Sequence, residues 1–168
     1  MKCTLRPATN EDRAAVENLV FSVLAEYGLS PDPGGTDSDL HSIEDTYQKS
    51  GGCFAVLVSD AGEVVGSVGI FPMSSSTCEL RKMYLARSAR GRGFGRLLLE
   101  HALAQAAALG FTRVTLETAS VLREAISLYV MAFGPSLRTI FPPAVMLPTS
   151  SKSLPLLQSR RAELKDSG

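Results

Sequence analysis

A glycine-rich turn that joins a strand pattern to a helix pattern constrains the fold of this chain more than any other feature. The turn, RGRGFGR at residues 90–96, follows the alternating segment CELRKMYL at 78–85 and leads into an apolar helical pattern from about Phe94 to Leu109. A strand, a glycine turn and a helix N-terminus in this order direct several unpaired backbone N–H groups and the positive end of the helix dipole at one point. We therefore predict an anion site at this turn.

Phosphate or pyrophosphate is the anion that this turn suits best. Three glycines without Cβ atoms let the backbone approach a ligand closely, and three arginines add charge where phosphates would lie. These residues are Gly91, Gly93 and Gly95 with Arg90, Arg92 and Arg96. The turn is not a Walker loop, and Arg96 stands where a dinucleotide-binding fingerprint needs its last glycine. A solvated glycine turn or an RNA-binding segment is the alternative, which the flanking strand and helix disfavour.

The other patterns along the chain alternate between strand and helix. Strands are predicted at 2–6, 53–59, 63–71, 78–85 and 111–118, and two of the helices at 94–109 and 121–131. Thr9 and Asp12 form a capping-box pattern at the start of another helix, and Thr36 with Asp39 begins one that ends at Gly51. The resulting order is β-α-α-β-β-β-α-β-α, which indicates one α/β domain.

The strand and helix patterns stop after Phe133. Residues 135–168 hold five prolines, at positions 135, 142, 143, 148 and 155. Because a proline donates no hydrogen bond to a sheet interior, this segment is predicted to be irregular or an edge extension of the sheet. We assign residues 1–134 to the patterned part of the domain and residues 135–168 to an atypical, proline-rich C-terminal segment of the same domain.

Composition excludes several classes of function. The 17 basic and 17 acidic residues cancel, so no basic field attracts nucleic acid or an anionic membrane, and no apolar stretch has the length of a membrane span. The three cysteines, Cys3, Cys53 and Cys78, are far apart and lack metal-binding spacing, which suits a reducing compartment. We expect a cytoplasmic protein that binds no nucleic acid, membrane or metal.

The turn Arg90-Gly91-Arg92-Gly93-Phe94-Gly95 resembles the Arg/Gln-x-x-Gly-x-Gly/Ala signature of the GNAT superfamily of acetyl-CoA-dependent N-acetyltransferases. The order of elements from Lys2 to Phe133 is similar as well. The resemblance implies a mixed, mostly antiparallel central sheet flanked by helices. It also implies that acetyl-CoA is the donor, with its pyrophosphate on the backbone amides from Gly91 to Arg96. The backbone of the strand segment Met83, Tyr84 and Leu85 would hold the acetyl carbonyl and the pantetheine arm.

Glu79 is the leading candidate for the general base. An alkylamine is mostly ammonium near neutral pH, so a group must remove a proton before the nitrogen can attack. Strand alternation predicts that Glu79 shares a face with Met83, and the resemblance implies that a glutamate at this place is the base in some family members. A structural or substrate-orienting ion pair with Arg81 is the equally open alternative. Glu117 or water would then be the base.

The resemblance implies that Tyr129, in the segment SLYV, protonates the departing thiolate, although a buried core tyrosine is the alternative. The family pattern after this tyrosine is altered, because Phe133 and Gly134 stand in exchanged order and the last two strands of the family are not visible in the tail. His41 and His101 lie in helix patterns and are expected to be surface residues rather than catalysts.

Two classes of function therefore remain at this point. The first is an acyltransferase that moves an acetyl group from acetyl-CoA directly to a primary amine of a small molecule or protein. The second is a non-catalytic acetyl-CoA-binding sensor or interaction module, which the altered C-terminal segment favours. The loop from Glu26 to Asp37 and the C-terminal segment would form the acceptor groove. Homodimerisation is left open.

Overall fold

The computed structural model describes residues 1–116 and the backbone of residues 152–155. A six-stranded sheet runs through this part of the chain in the order β1-β2-β3-β4-β5-β6. The strands are β1 Cys3–Pro7, β2 Cys53–Ser59, β3 Val64–Pro72, β4 Thr77–Leu85, β5 Arg113–Leu116 and β6 Lys152–Pro155. All neighbouring pairs are antiparallel except β4 and β5, which are parallel. The mixed, mostly antiparallel α/β fold predicted above is therefore confirmed.

Two long helices cover opposite faces of the sheet. The helices are α1 Arg13–Glu26 and α2 Phe94–Ala108. On one face, α2 buries Leu98, Leu99 and Ala102 against apolar residues of the strands. On the other face, α1 packs Val16 and Val20 over β2, together with side chains from the segment between α1 and β2. The two apolar clusters give the sheet a core on each side, which fixes its position between the helices.

The capping box at the start of α1 is confirmed. The Asp12 side chain accepts a hydrogen bond from the Thr9 amide at 2.9 Å, and a single 3-10 turn, Asn10–Asp12, leads into the helix. The guanidinium group of Arg6 also binds the Asp12 carboxylate, with Nη2 2.7 Å from Oδ1. One carboxylate thus joins the helix start to β1.

The single helix predicted from Thr36 to Gly51 is wrong. This segment forms a 3-10 turn at Ser38–Leu40 and a short π-helix at Glu44–Gln48. The predicted capping pair is engaged elsewhere, because Asp39 accepts a hydrogen bond from Tyr47 and the Thr36 carbonyl accepts one from Lys82 of β4. The apolar positions of the pattern are nevertheless buried.

The C-terminal segment contributes at least one strand. β6 pairs antiparallel with β5 in the register Arg113↔Pro155 to Leu116↔Lys152. It lies at the end of the strand order, in agreement with an edge extension. Glu117, the helix predicted at 121–131 and Tyr129 lie outside the described residues. Within the described part of the chain, no helix has both the length and the apolar character needed to cross a bilayer.

Candidate active site

The glycine turn lies between the end of β4 and the N-terminus of α2. A 3-10 turn at Arg87–Ala89 buries Ala89 and leads to Gly93, which is the N-cap residue of the helix. The first hydrogen bond of α2 runs from the Leu97 amide to the Gly93 carbonyl at 3.1 Å. The amides at 94–96 therefore have no acceptor within the helix and point out of its positive end. This arrangement is suited to bind an anion.

Backbone conformation accounts for two of the glycines. Gly91 and Gly93 have φ values of +71° and +83°, in the left-handed region that residues with a Cβ rarely adopt. A Cβ atom built at either position would meet no heavy atom within 4 Å. Glycine is thus favoured at these two positions by the left-handed backbone conformation and not by steric contact with neighbouring residues.

The arginines of the turn have different roles. Arg90 donates from Nε to the Leu85 carbonyl at 3.0 Å, and its Nη1 lies 2.7 Å from Oε2 of Glu26 at the end of α1. Arg96 pairs on the surface with Glu100, its Nε 2.7 Å from Oε1. Arg90 and Arg96 are thus each paired with a glutamate, and the charge that the three arginines would add at a phosphate stays a prediction. Arg90 also fastens the turn to β4 and α1.

A β-bulge interrupts β4 before it reaches the turn. Ser67 of β3 pairs with Tyr84, and Gly69 pairs with Arg81, so two residues of β4 oppose only one residue of β3. The two residues are Lys82 and Met83. Lys82 has a φ of +51°. A bulge adds one residue and reverses which face the following side chains occupy.

Because of this bulge, the predicted shared face of Glu79 and Met83 is wrong. Met83 and Leu85 pack against the cluster under α2, whereas Tyr84 packs against the cluster under α1. Glu79 pairs in register with Phe71, which also belongs to the α1 side. Glu79 thus lies on the opposite face of the strand from Met83 and Leu85.

The ion pair between Glu79 and Arg81 is present. The Arg81 Nε lies 2.6 Å from Glu79 Oε2, and Nη2 contacts the same oxygen. The Arg81 guanidinium also stacks over the Phe71 ring, 4.0 Å from its centroid. Glu79 is only 8% exposed. Its second oxygen, Oε1, takes no part in the contacts with Arg81, so the pair alone does not exclude proton transfer.

Two phenols on the α1 side of the sheet, the buried Tyr47 and the partly buried Tyr84, are poor proton donors near neutral pH. Burial, and then the charges of Asp37 and Asp39, raise the pKa of Tyr84 to about 12. Burial, and then its hydrogen-bonded neighbour Asp39, raise the pKa of Tyr47 well above its usual range. Sequence reasoning did not identify Asp37 and Asp39 as neighbours of the site, because no local pattern connects them with β4.

Comparison with protein families identifies the chain. The family model described as the acetyltransferase (GNAT) family matches residues 21–134, more than half of the sequence. The chain belongs to this family. It is therefore an acyltransferase.

Related acetyltransferases extend the match. The uncharacterized N-acetyltransferase YjgM of Escherichia coli K12 is 41% identical over 130 residues, which cover 74% of this acetyltransferase and 77% of YjgM. A probable N-acetyltransferase, camello, of Xenopus tropicalis is 36% identical over 124 residues, which cover 68% of this chain and 56% of camello.

Solved structures share the fold of this acetyltransferase. A GNAT-family acetyltransferase from Staphylococcus aureus Mu50 superposes with a TM-score of 0.78 at 19% identity, covering 92% of this chain and 99% of that chain. A phosphinothricin acetyltransferase from Sinorhizobium meliloti, in complex with acetyl-CoA, gives a TM-score of 0.70 at 22% identity, with 93% and 89% covered.

Proposed function

We propose that this acetyltransferase moves an acetyl group from acetyl-CoA directly to a primary amine. The observation that carries the proposal is the turn at residues 90–96, where the amides at the start of α2 have no acceptor within the helix. A diphosphate is the group that such a turn would hold. The Sinorhizobium meliloti relative in fold was determined with acetyl-CoA bound, which supports the same donor here.

The donor would lie along the end of β4 toward the turn. Its pyrophosphate would accept hydrogen bonds from backbone amides between Gly91 and Arg96. Its pantetheine arm and acetyl carbonyl would follow the backbone of the segment 83–85, which leads directly to the turn. Arg90 supports this path, because it binds the Leu85 carbonyl and Glu26 together.

The amine would approach on the α1 face of β4. Its nitrogen attacks the thioester carbon, the carbon–sulfur bond breaks, and the proton lost by the nitrogen passes to a base. We assign the base to Glu79, whose Oε1 is not used by Arg81. The departing thiolate would take a proton from Tyr129. Because a phenol has a pKa near 10 and a thiol near 8.5, this transfer requires a site that favours the phenolate or proton movement as thiolate charge develops.

A screen for release of free CoA tests the proposal. The wild-type chain is incubated with acetyl-CoA and amines from four groups: amino acids, polyamines, aminoglycosides and peptides with free N-termini. Reactions without amine measure background hydrolysis, and mass spectrometry of the amine identifies an acetylated product. We expect at least one amine to give CoA release above the background together with its N-acetyl product. Release at the background rate with every amine would contradict the proposal.

A further inference from the structure

Lys82 adopts a backbone conformation that is unusual for a residue with a Cβ. It is the one residue other than glycine with a positive φ, +51°, in the part of the chain that the structure describes. The fully buried Ser67 hydroxyl donates to the Lys82 carbonyl at 2.7 Å and holds the bulge in place. A disfavoured conformation persists only where its surroundings enforce it, and such positions cluster at functional sites.

The side chain of Lys82 reaches the loop that follows α1. It is 9% exposed, and Nζ lies 2.6 Å from Oδ1 of Asp37 and 3.4 Å from Oδ1 of Asp39. Nζ also donates to the Thr36 carbonyl at 2.8 Å. A single ammonium group of β4 therefore contacts three residues of the loop.

Asp37 extends this contact into the loop. Its Oδ2 accepts a hydrogen bond from the Asp32 amide at 2.9 Å, and its own amide donates to the Asp32 carbonyl at 2.9 Å. The Thr36 amide donates to Oδ2 of Asp32 at 3.1 Å. The segment 32–37 is thus closed on itself and fastened to the bulge of β4 through Lys82.

The same network leads to Glu79. Tyr47 donates to Oδ2 of Asp39 at 2.6 Å, and Nη1 of Arg81 lies 4.0 Å from that oxygen. Arg81 in turn binds Glu79. The loop and the proposed base are therefore connected on one face of β4 by consecutive polar contacts.

Stability alone does not account for this arrangement. Buried ion pairs are often replaced by apolar residues without loss of stability, because removing charges from water is costly. Three carboxylates, of Asp37, Asp39 and Glu79, face two cations, Arg81 and Lys82, so the group keeps one excess negative charge. What the network does provide is a fixed position for the loop beside Glu79.

We propose that Lys82 is a positioning residue for the acceptor amine. By fastening the segment 32–37 to the bulge, it fixes one wall of the amine site next to Glu79, and it does not itself contact the reacting atoms. The inference rests on the acetyl transfer proposed above. It predicts that Lys82 controls the affinity for the amine and has little effect on the donor.

Steady-state kinetics of the full chain test this role, with acetyl-CoA and the most active amine of the panel above. Lys82→Met removes the ammonium group, and we expect the KM for the amine to rise about tenfold or more while the KM for acetyl-CoA stays within about twofold. Lys82→Arg keeps the charge and should recover part of the affinity for the amine. Hydroxylamine is too small to need the loop, so Lys82→Met should acetylate it at nearly the wild-type rate.

Two controls separate positioning from loss of folding. Lys82→Met leaves the buried Asp37 carboxylate without its partner, which should lower the melting temperature. The double variant Asp37→Asn, Lys82→Met removes that unpaired charge, so its melting temperature should return toward the wild-type value while its KM for the amine stays high. Arg6→Met breaks an ion pair on β1, which is separated from β4 by the two strands β2 and β3, and should leave both KM values unchanged.

Three results would overturn the role of Lys82: an unchanged KM for the amine in the folded double variant, an equal rise in Arg6→Met, or loss of hydroxylamine acetylation in Lys82→Met. Failure of the wild-type chain to acetylate any amine is a different result, since it would overturn the proposed function itself.

Discussion

Arg81 and Glu79, two residues apart on β4, form an ion pair in which Nε lies 2.6 Å from Oε2 of the carboxylate. A second nitrogen of Arg81, Nη2, contacts the same carboxylate oxygen. The pair orients Glu79 on the α1 face of the strand. The structure thus contains the ion pair while keeping an oxygen of Glu79 outside it, and the role of Glu79 in proton transfer becomes a question for kinetics.

Glu79→Gln is expected to lower kcat at neutral pH by about 10² to 10⁴, the usual contribution of a general base. Raising the pH should restore part of the rate, because an alkylamine with a pKa of about 10.4 then loses its proton without help. Arg81→Gln removes the ion pair and keeps the carboxylate, so its rate should show no such recovery. A pH–rate profile of Glu79→Gln that matches the wild type would assign the base to Glu117 or water.

The ion pair between Glu26 and Arg90 predicts how Glu26→Gln changes the affinity for acetyl-CoA. Glu26→Gln removes a negative charge near the turn, which on electrostatic grounds alone should strengthen binding of an anionic coenzyme. Glu26 holds Arg90, and through it the turn, by a contact of 2.7 Å. Because the substitution removes this contact, we instead expect acetyl-CoA to bind about two- to fivefold more weakly, which is the range expected for a partly exposed ion pair. Titration calorimetry measures the affinity. Glu100→Gln, beside the exposed Arg96, is the matched control and should not weaken binding.

Tighter binding of acetyl-CoA by Glu26→Gln would show that the pair has no part in ordering the turn. An equal loss of affinity in Glu100→Gln would point to a general effect of the substitutions.

Tyr129→Phe tests the proton donor for the thiolate. Since general acid catalysis supplies about 10² to 10⁴ in rate, we expect kcat to fall within that range. The affinity for acetyl-CoA should stay nearly unchanged, because only a hydroxyl group is removed. Single-turnover measurements, in which chemistry limits the rate, provide the comparison. Equal rates for Tyr129→Phe and the wild type would make Tyr129 a packing residue and water the donor.

The ion pair of Arg6 and Asp12 predicts a dependence of stability on pH. Hydrogen bonds from Arg6 hold the pKa of Asp12 below its usual value. A carboxyl group whose folded pKa is lowered stabilises the fold above its unfolded pKa of about 3.9, and this contribution is lost as the pH falls through the folded pKa. Asp12→Asn should therefore unfold at a lower temperature than the wild type at neutral pH, and the difference should shrink in acid. Thermal unfolding across this range measures it.

The exposed Asp45, which pairs with Lys49, offers a control for the pH experiment. Asp45→Asn should change the melting temperature little at any pH, because exposed ion pairs are screened by solvent. A difference between Asp12→Asn and the wild type that is as large in strong acid as at neutral pH would contradict the linkage.

Strands and helices whose apolar residues recur at regular spacing without interruption can be predicted from the sequence. The strand CFAVLVS is observed as Cys53–Ser59, and the helix after the turn ends within one residue of its predicted end. The glycine turn is equally local, since the φ values of Gly91 and Gly93 depend on residue type. The family follows from this part of the sequence. The cytoplasmic location and the roles of the site residues stay predictions.

Features that depend on distant contacts could not be predicted. The bulge of β4 places each later side chain on the face opposite to the one that simple alternation predicts. Its residue with a left-handed backbone conformation is Lys82, where sequence rules would expect glycine or asparagine. Asp37 and Lys82 are 45 residues apart, so nothing local connects them. Contacts with Lys82 and Tyr47 also engage the predicted capping pair of Thr36 and Asp39, so the single helix from Thr36 to Gly51 does not form.

The most direct test of the account is thermal unfolding with and without acetyl-CoA, on the wild type and a matched pair of variants. Gly93 and Gly62 have nearly the same φ, +83° and +82°, and a Cβ atom at either would meet no heavy atom within 4 Å. Gly93→Asp and Gly62→Asp should therefore lose similar amounts of stability in the absence of ligand. Only Gly93→Asp places a side chain and a negative charge at the proposed pyrophosphate site.

Acetyl-CoA at about 100 times its Kd should add about 2.7 kcal/mol to the unfolding free energy of the wild type. We expect the same gain for Gly62→Asp and a much smaller one for Gly93→Asp. An unfolding temperature of the wild type that saturating acetyl-CoA leaves unchanged, or equal gains in the two variants, would contradict the assignment of the turn as the coenzyme site.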